Sequence, residues 1–129
     1  MKHIYLAGPM TGYKHHNVDA FRAYQRYWQA LGWIVETPFE ANNRVWERYH
    51  GRPFAPETDS VDYGHWMLPE IFAEDIATVC RVQAVALLPG WQKSEGAKRE
   101  LAIATLLNKP IYDALTGERL NLTCHILFS

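Results

Sequence analysis

The chain opens on a short apolar run, His3–Ala7, that stops at Gly-Pro-Met-Thr-Gly, the pattern of a buried strand entering a turn. Val18, Phe21, Tyr24, Trp28 and Leu31 then recur at three- and four-residue spacing. This predicts a helix with Asn17 as its N-cap and Gly32 at its C-terminal end. Residues 33–36 read as a second strand, ended by Thr37-Pro38. From residue 41 to about 65 the chain turns polar, isolated aromatics interrupt it, and no period persists. The expectation there is a long loop insertion, with room for a short helix around residues 44–49. Connections longer than about 12–15 residues are uncommon in compact domains and are often lids or binding loops, although a merely decorative insertion fits the pattern as well.

Periodicity returns with Leu68, Phe72, Ile76 and Val79, which mark a helix that tolerates Pro69 in its first turn. Residues 83–88, Gln-Ala-Val-Ala-Leu-Leu, form the strongest strand pattern and are stopped by Pro89-Gly90. Ser94 is placed to cap a further helix carrying Ala97, Leu101, Ala104 and Leu107. Residues 110–112 suggest another short strand, and residues 126–128 a possible edge strand. Strands alternating with helices in this order imply right-handed crossovers and a parallel sheet covered on both faces. The expected class is α/β, a flavodoxin-like three-layer sandwich with a mainly parallel sheet, formed as one domain by the 129 residues. In such sheets ligands sit beyond the carboxyl ends of the strands where the winding reverses. The two glycine-containing loops that fit are residues 8–12 and 89–96, so one pocket between them is expected.

Charge narrows the function classes. The formal net charge is −1 and the basic residues are scattered, which leaves no footprint for a long nucleic-acid backbone but allows a small anion held by a few donors. No stretch approaches the roughly eighteen consecutive apolar residues of a membrane span, and no basic stretch followed by an apolar run opens the chain. Neither a membrane partner nor a signal peptide is expected. Cys80 and Cys124 are the only cysteines, and Cys80 falls in an apolar helical pattern where a reduced, buried thiol is the ordinary state. The cytoplasm is the expected compartment. Six histidines are present, including His15-His16, but none has a partner at helical ligand spacing, so no metal site is expected. Nothing near Cys80 suggests a stabilised thiolate.

Two carboxylates stand out. Glu100 lies three residues after Ala97 and four before Ala104, at the margin of an apolar stripe, and Asp75 repeats that geometry between Phe72 and Val79. A half-buried carboxylate is costly unless it is used or paired. From the pattern alone, each could simply pair with an arginine or cap a backbone group. Ser94 and Gly96 open a helix whose free N–H groups and positive dipole end favour an anion, or else form an ordinary cap. Gly8, Pro9 and Met10 have the spacing of neither a P-loop nor a dinucleotide fingerprint. Tyr5, inside the first strand, reads either as core or as a hydroxyl reaching a pocket carboxylate. Trp91 and the aromatics Trp46, Tyr49, Phe54 and Tyr63 are candidates for stacking a base.

Together, Ile4-Tyr5-Leu6-Ala7-Gly8-Pro9-Met10, Asp75, and Leu87-Leu88-Pro89-Gly90-Trp91 followed by Ser94-Glu95-Gly96-Ala97-Lys98-Arg99-Glu100 resemble the nucleoside 2-deoxyribosyltransferase superfamily, most of all its short, phage-rich branch. The spacing from Ser94 to Glu100 is also similar to that of 2′-deoxynucleoside 5′-monophosphate N-hydrolases. The resemblance implies an active site of Tyr5, Asp75 and Glu100, with Gly8, Pro9, Met10, Gly90, Trp91, Ser94 and Gly96 around the substrate. It implies a hydrolase or transferase of nucleotide metabolism: Glu100 attacks the anomeric carbon of a deoxyribosyl unit, Tyr5 orients it, and Asp75 holds the sugar or protonates the leaving base. For that role Glu100 must be ionised, which its helix and the tyrosine hydroxyl would favour. The implied partner is a small nucleoside or nucleotide, with no metal or redox cofactor, in a homodimer or larger assembly.

The chain departs from that pattern at Pro9 and Thr11, where the monophosphate hydrolases carry Ser and Arg for the phosphate, and at Gln83, where Asp is common. Its carboxy-terminal segment matches none that reaches a neighbouring site. Two other readings stay open: a catalytically silent nucleotide-binding or interaction module of the same fold, and a flavin-binding domain. The latter would want a hydroxyl-rich loop where Pro9-Met10 stands.

Overall fold

A computed structural model describes residues 2–59 and 68–122. Its five-stranded sheet consists of β1 (His3–Ala7), β2 (Ile34–Glu36), β3 (Ala84–Leu87), β4 (Ile111–Asp113) and β5 (Arg119–Leu120), in the order β2-β1-β3-β4-β5. The first four strands run parallel, and only β5 is antiparallel. The helices are α1 (Val18–Ala30), α2 (Pro38–His50), α3 (Leu68–Arg81) and α4 (Glu95–Leu106). This is the flavodoxin-like sandwich expected from the alternation of patterns. The short β5 had no signal of its own, and residues 126–128 lie outside the described residues.

Strand parity divides the core. Ile4 and Leu6 of β1, with Ala84, Ala86 and Leu88, pack against Phe21 and Trp28 of α1 on one face. Tyr5 and Ala7, with Val85 and Leu87, face the other side, where Val79 and Val82 from α3 and its end meet Ala97, Leu101 and Ala104 of α4. Successive residues of a strand point to opposite faces, so Tyr5 is delivered to the α3/α4 layer because Ile4 and Leu6 belong to α1.

Four local expectations are corrected. Residues 41–50 are not loop: they continue α2, which begins at Pro38. Thr37 and Glu40 form a reciprocal capping box, with Phe39 N donating to the Thr37 hydroxyl at 3.2 Å and Thr37 N to the Glu40 carboxylate at 2.8 Å. Pro38 fits the first helical position, where its missing N–H costs nothing. The buried stripe is Pro38, Ala41, Asn42, Val45 and Trp46, and the polar Asn42 within it hid the period. Residues 51–59 follow as bends and turns, and the rest of the expected insertion, from residue 60 to about 65, lies outside the described residues.

Asn17 is not an ordinary cap. It has a left-handed backbone (φ 65°), makes no side-chain cap bond, and donates its amide to the Pro9 carbonyl at 2.9 Å. His15 and His16 are left-handed as well, so this turn depends on such contacts to hold it. Cys80, finally, is exposed. The stripe of α3 is rotated from the expected one: Ile71, Thr78 and Val79 are buried while Ile76 is exposed. Among the described residues, no helix is long and apolar enough to cross a membrane.

Candidate active site

β1 is flanked by β2 on one side and β3 on the other, so the winding reverses between β1 and β3. Beyond the carboxyl ends of these strands lies a cleft of about 840 Å³. That size suits a nucleoside or nucleotide, since small-molecule sites commonly measure ~300–1,000 Å³. The loop after β1 supplies one wall with Gly8, Pro9, Met10 and Thr11, and the start of α4 supplies another with Ser94, Gly96 and Glu100. α2 and α3 close the remaining side through Pro38 and Asn42, and through Ile71, Phe72 and Asp75.

Two carboxyls, Asp75 and Glu100, line the cleft, and the Tyr5 hydroxyl stands behind them. Glu100 is buried on the inner face of α4, at 6% exposure, rather than at its margin. The Tyr5 hydroxyl, fully buried, donates a hydrogen bond to Glu100 Oε2 across 95 residues of chain. Asp75 sits in the same stripe as Ile71 and Val79, and its Oδ1 is buried with no hydrogen-bond partner among the described residues. Such an orphaned acceptor in a cleft costs stability and is placed to receive something from a ligand.

Burial also sets the protonation. It pushes the Glu100 carboxyl well above the usual carboxylate range; the nearby Asp75 adds to this and the Tyr5 hydrogen bond opposes it. Asp75 is pushed up to about 7, again chiefly by burial, with Arg44 and the Tyr5 hydroxyl pulling the other way. Burial and the two acids raise the Tyr5 hydroxyl well above its ordinary value, so it stays a donor. The free protein therefore does not present the fully ionised Glu100 expected from the sequence. The two carboxyls hold at least one proton near neutral pH, because like charges in a dry site cannot both form cheaply.

Three of the expected site glycines separate by what an added Cβ would meet. At Gly8 it would fall 2.7 Å from the Leu88 Cβ, and at Gly90, where φ is 90°, it would fall 2.9 Å from the Tyr13 hydroxyl. Those two are required by the chain's own packing. At Gly96 nothing lies within 4 Å, although this position faces the cleft inside a helix, where glycine is disfavoured. Gly96→Ala is accordingly expected to melt at the same or a higher temperature, gaining up to ~1 kcal/mol. Gly8→Ala should lose ~1–3 kcal/mol by overpacking. Thermal melts of the two variants check this, and a comparable loss in both would overturn the distinction.

The remaining expected residues distribute unevenly. Ser94 caps α4 by accepting from Ala97 N at 3.1 Å and keeps its own hydroxyl hydrogen for the cleft. Gly90 and Trp91 lie outside the cleft wall, and Trp91 packs against the core beneath α4. Trp46 and Phe54 form a satellite core with Val45 and Ile71, the Tyr49 hydroxyl bonds Glu70, and Tyr63 lies outside the described residues. The aromatic residues that line the cleft are instead Tyr13 and Phe72, with the Arg99 guanidinium 4.8 Å from the Phe72 ring centre. Tyr13, Phe72, Arg99, Lys93 and Asn42 are among the cleft residues that the sequence reading missed. Only the adjacency of Arg99 to Glu100 offered any hint. Among the described residues, no three metal-ligating side chains lie together.

Fold and cleft define a flavodoxin-like α/β protein with paired carboxyls at the reversal point of its sheet. The chain belongs to the family described as Domain of unknown function (DUF4406), whose model matches residues 2–113. That span contains β1 through β4 and all of Tyr5, Asp75 and Glu100. No curated protein matches the chain.

Proposed function

We propose that this protein cleaves or transfers the N-glycosidic bond of a deoxynucleoside or a deoxynucleoside 5′-monophosphate through a covalent glycosyl-Glu100 intermediate. The observation that carries this reading is the pairing of Glu100 with Asp75 in the wall of a nucleotide-sized cleft, with the buried Tyr5 hydroxyl bonded to Glu100 behind it. The reacting form has its charge on Glu100, where Tyr5 donates, and its proton on Asp75.

Glu100 attacks the anomeric carbon as the bond to the base breaks, and the electron pair leaves with the base nitrogen. Asp75 supplies the proton the base needs. Water then attacks the same carbon, gives its proton to Asp75 and releases Glu100; a second base in place of water gives transfer. The order resembles a retaining glycosidase, and it needs one protonated and one ionised carboxyl at the start. Between its two titrations the coupled pair holds a single proton, which provides this.

The test is to incubate the protein with a panel of deoxynucleosides and their 5′-monophosphates and to follow free base by chromatography. Release from at least one is expected. Saturable binding with no base released would instead make the cleft a nucleotide-binding module, the alternative reading of the same fold. Under the catalytic reading Gly96→Ala, which keeps the fold, raises KM about tenfold or more by filling the space the ligand occupies. An unchanged KM would remove Gly96 from the substrate's path. A cytoplasmic location and a homodimer or larger assembly complete the proposal; the exposed Cys80 thiol suits a reducing compartment.

A further inference from the structure

α2 lies against α3, and charged side chains join them. Arg48 bridges Glu70 and Glu74, at 3.2 and 2.7 Å. Arg44, one turn earlier on α2, grips differently. Its Nε donates to Glu74 at 3.0 Å and its Nη2 to the Thr78 hydroxyl at 3.4 Å. Glu74 immediately precedes Asp75, and Thr78 follows it by nearly one turn, so the guanidinium is moored on both sides of Asp75. Thr78 is only 2% exposed, and its hydroxyl donates in turn to the Glu74 carbonyl at 2.9 Å, which carries the mooring into the buried side of α3.

The groups that act on Asp75 come from four elements. β1 offers the Tyr5 hydroxyl, α4 the Glu100 carboxyl, α3 itself Glu74, and α2 Arg44. Of these only Arg44 is a cation. Lys93, just before α4, and Arg99 of α4 line the same cleft, but the Arg99 guanidinium lies over Phe72 and neither contributes to the shift of Asp75. A general acid must be held in place and must also release its proton near the working pH.

We propose that Arg44 is a positioning residue: by holding Glu74 and Thr78 it fixes the turn of α3 that presents Asp75 to Glu100, and its charge sets how readily Asp75 parts with a proton. The proposal rests on Asp75 being the acid of the glycosidic reaction. Arg44 is 41% exposed, so solvent weakens its field and the expected effect is modest.

The experiment titrates the Asp75 carboxyl by ¹³C NMR in the full-length protein without substrate, with Asp75→Asn assigning the signal. In Arg44→Gln the midpoint should rise by about half to one pH unit, because an acid that loses a neighbouring cation keeps its proton longer. Arg44→Lys should restore most of the difference. Arg48→Gln, which cuts the same helix–helix clamp without touching Thr78, should leave the midpoint in place. Should Arg44→Gln fail to fold, raising the salt on the unaltered protein to about 1 M screens the same charge and should move the midpoint the same way. A midpoint unmoved by both Arg44→Gln and salt, or moved equally by Arg48→Gln, overturns the proposal. Where a substrate has been found, the alkaline limb of kcat should rise with the midpoint in Arg44→Gln. Because the titration needs no turnover, a nucleotide panel that yields no free base sinks the catalytic reading and leaves this measurement to be judged separately.

Discussion

Glu100→Gln should lower the rate of base release by ~10³–10⁵-fold while substrate still binds. The amide fills the same buried volume and can still accept from the Tyr5 hydroxyl, so the cleft should keep its shape. What it lacks is a nucleophile, and without one the reaction has no covalent intermediate to divide its barrier. Tyr5→Phe provides a graded companion: it leaves Glu100 without its hydrogen bond and should cost less, ~10–10³-fold in kcat. The check is single-turnover base release, with binding measured separately by calorimetry. Turnover by Glu100→Gln within a few fold of the parent would take Glu100 out of the reaction altogether.

Asp75→Asn should make the protein more stable, and only above a particular pH. The Asp75 pKa rises from 3.8 in the unfolded chain to about 7 in the fold. Between those values the native state binds more protons than the unfolded state, so stability falls as pH rises through that window. Above about 7 the full penalty applies. A shift of that size corresponds to at most ~4 kcal/mol, and an asparagine that must find partners in the same pocket should recover ~1–3 kcal/mol of it. Melting curves should show a gain of roughly 5–10 °C above pH 7 that shrinks toward zero near pH 4. A difference independent of pH would mean that Asp75 is not a buried acid charged at a cost. The same variant should lose base release, the expected trade when a strained group is kept for function.

Much of this could be read from local patterns. The alternation of short apolar runs with three- and four-residue spacings gave the α/β class, the first four strands and three of the four helices. The spacing around Ala97 and Ala104 puts Glu100 at the margin of the apolar stripe of α4, and the structure buries it further, on the inner face. The failures were also local in origin. Thr37-Pro38-Phe39-Glu40 is a helix start that reads as a strand end, because Asn42 breaks the apolar period immediately after it. Ile76 and Cys80 look like core residues, but α3 turns them outward and sets Ile71, Thr78 and Val79 against the body of the protein.

Periodicity within one element tells which residues share a face, and this the sequence determined by itself. It does not tell what that face meets. β1 is apolar on both sides, so nothing in its five residues decides whether Tyr5 turns toward α1 or toward α4. That choice follows from the placement of β1 between β2 and β3, and from which helices cover each side of the sheet. The tertiary structure alone brought residues 5, 75 and 100 together, closed the cleft with α2 and Phe72, and kept Trp91 out of it. It also fixed the charge state of the site, because the energy of a carboxyl depends on how much water and which charges surround it. Those surroundings are assembled from residues far apart in the chain.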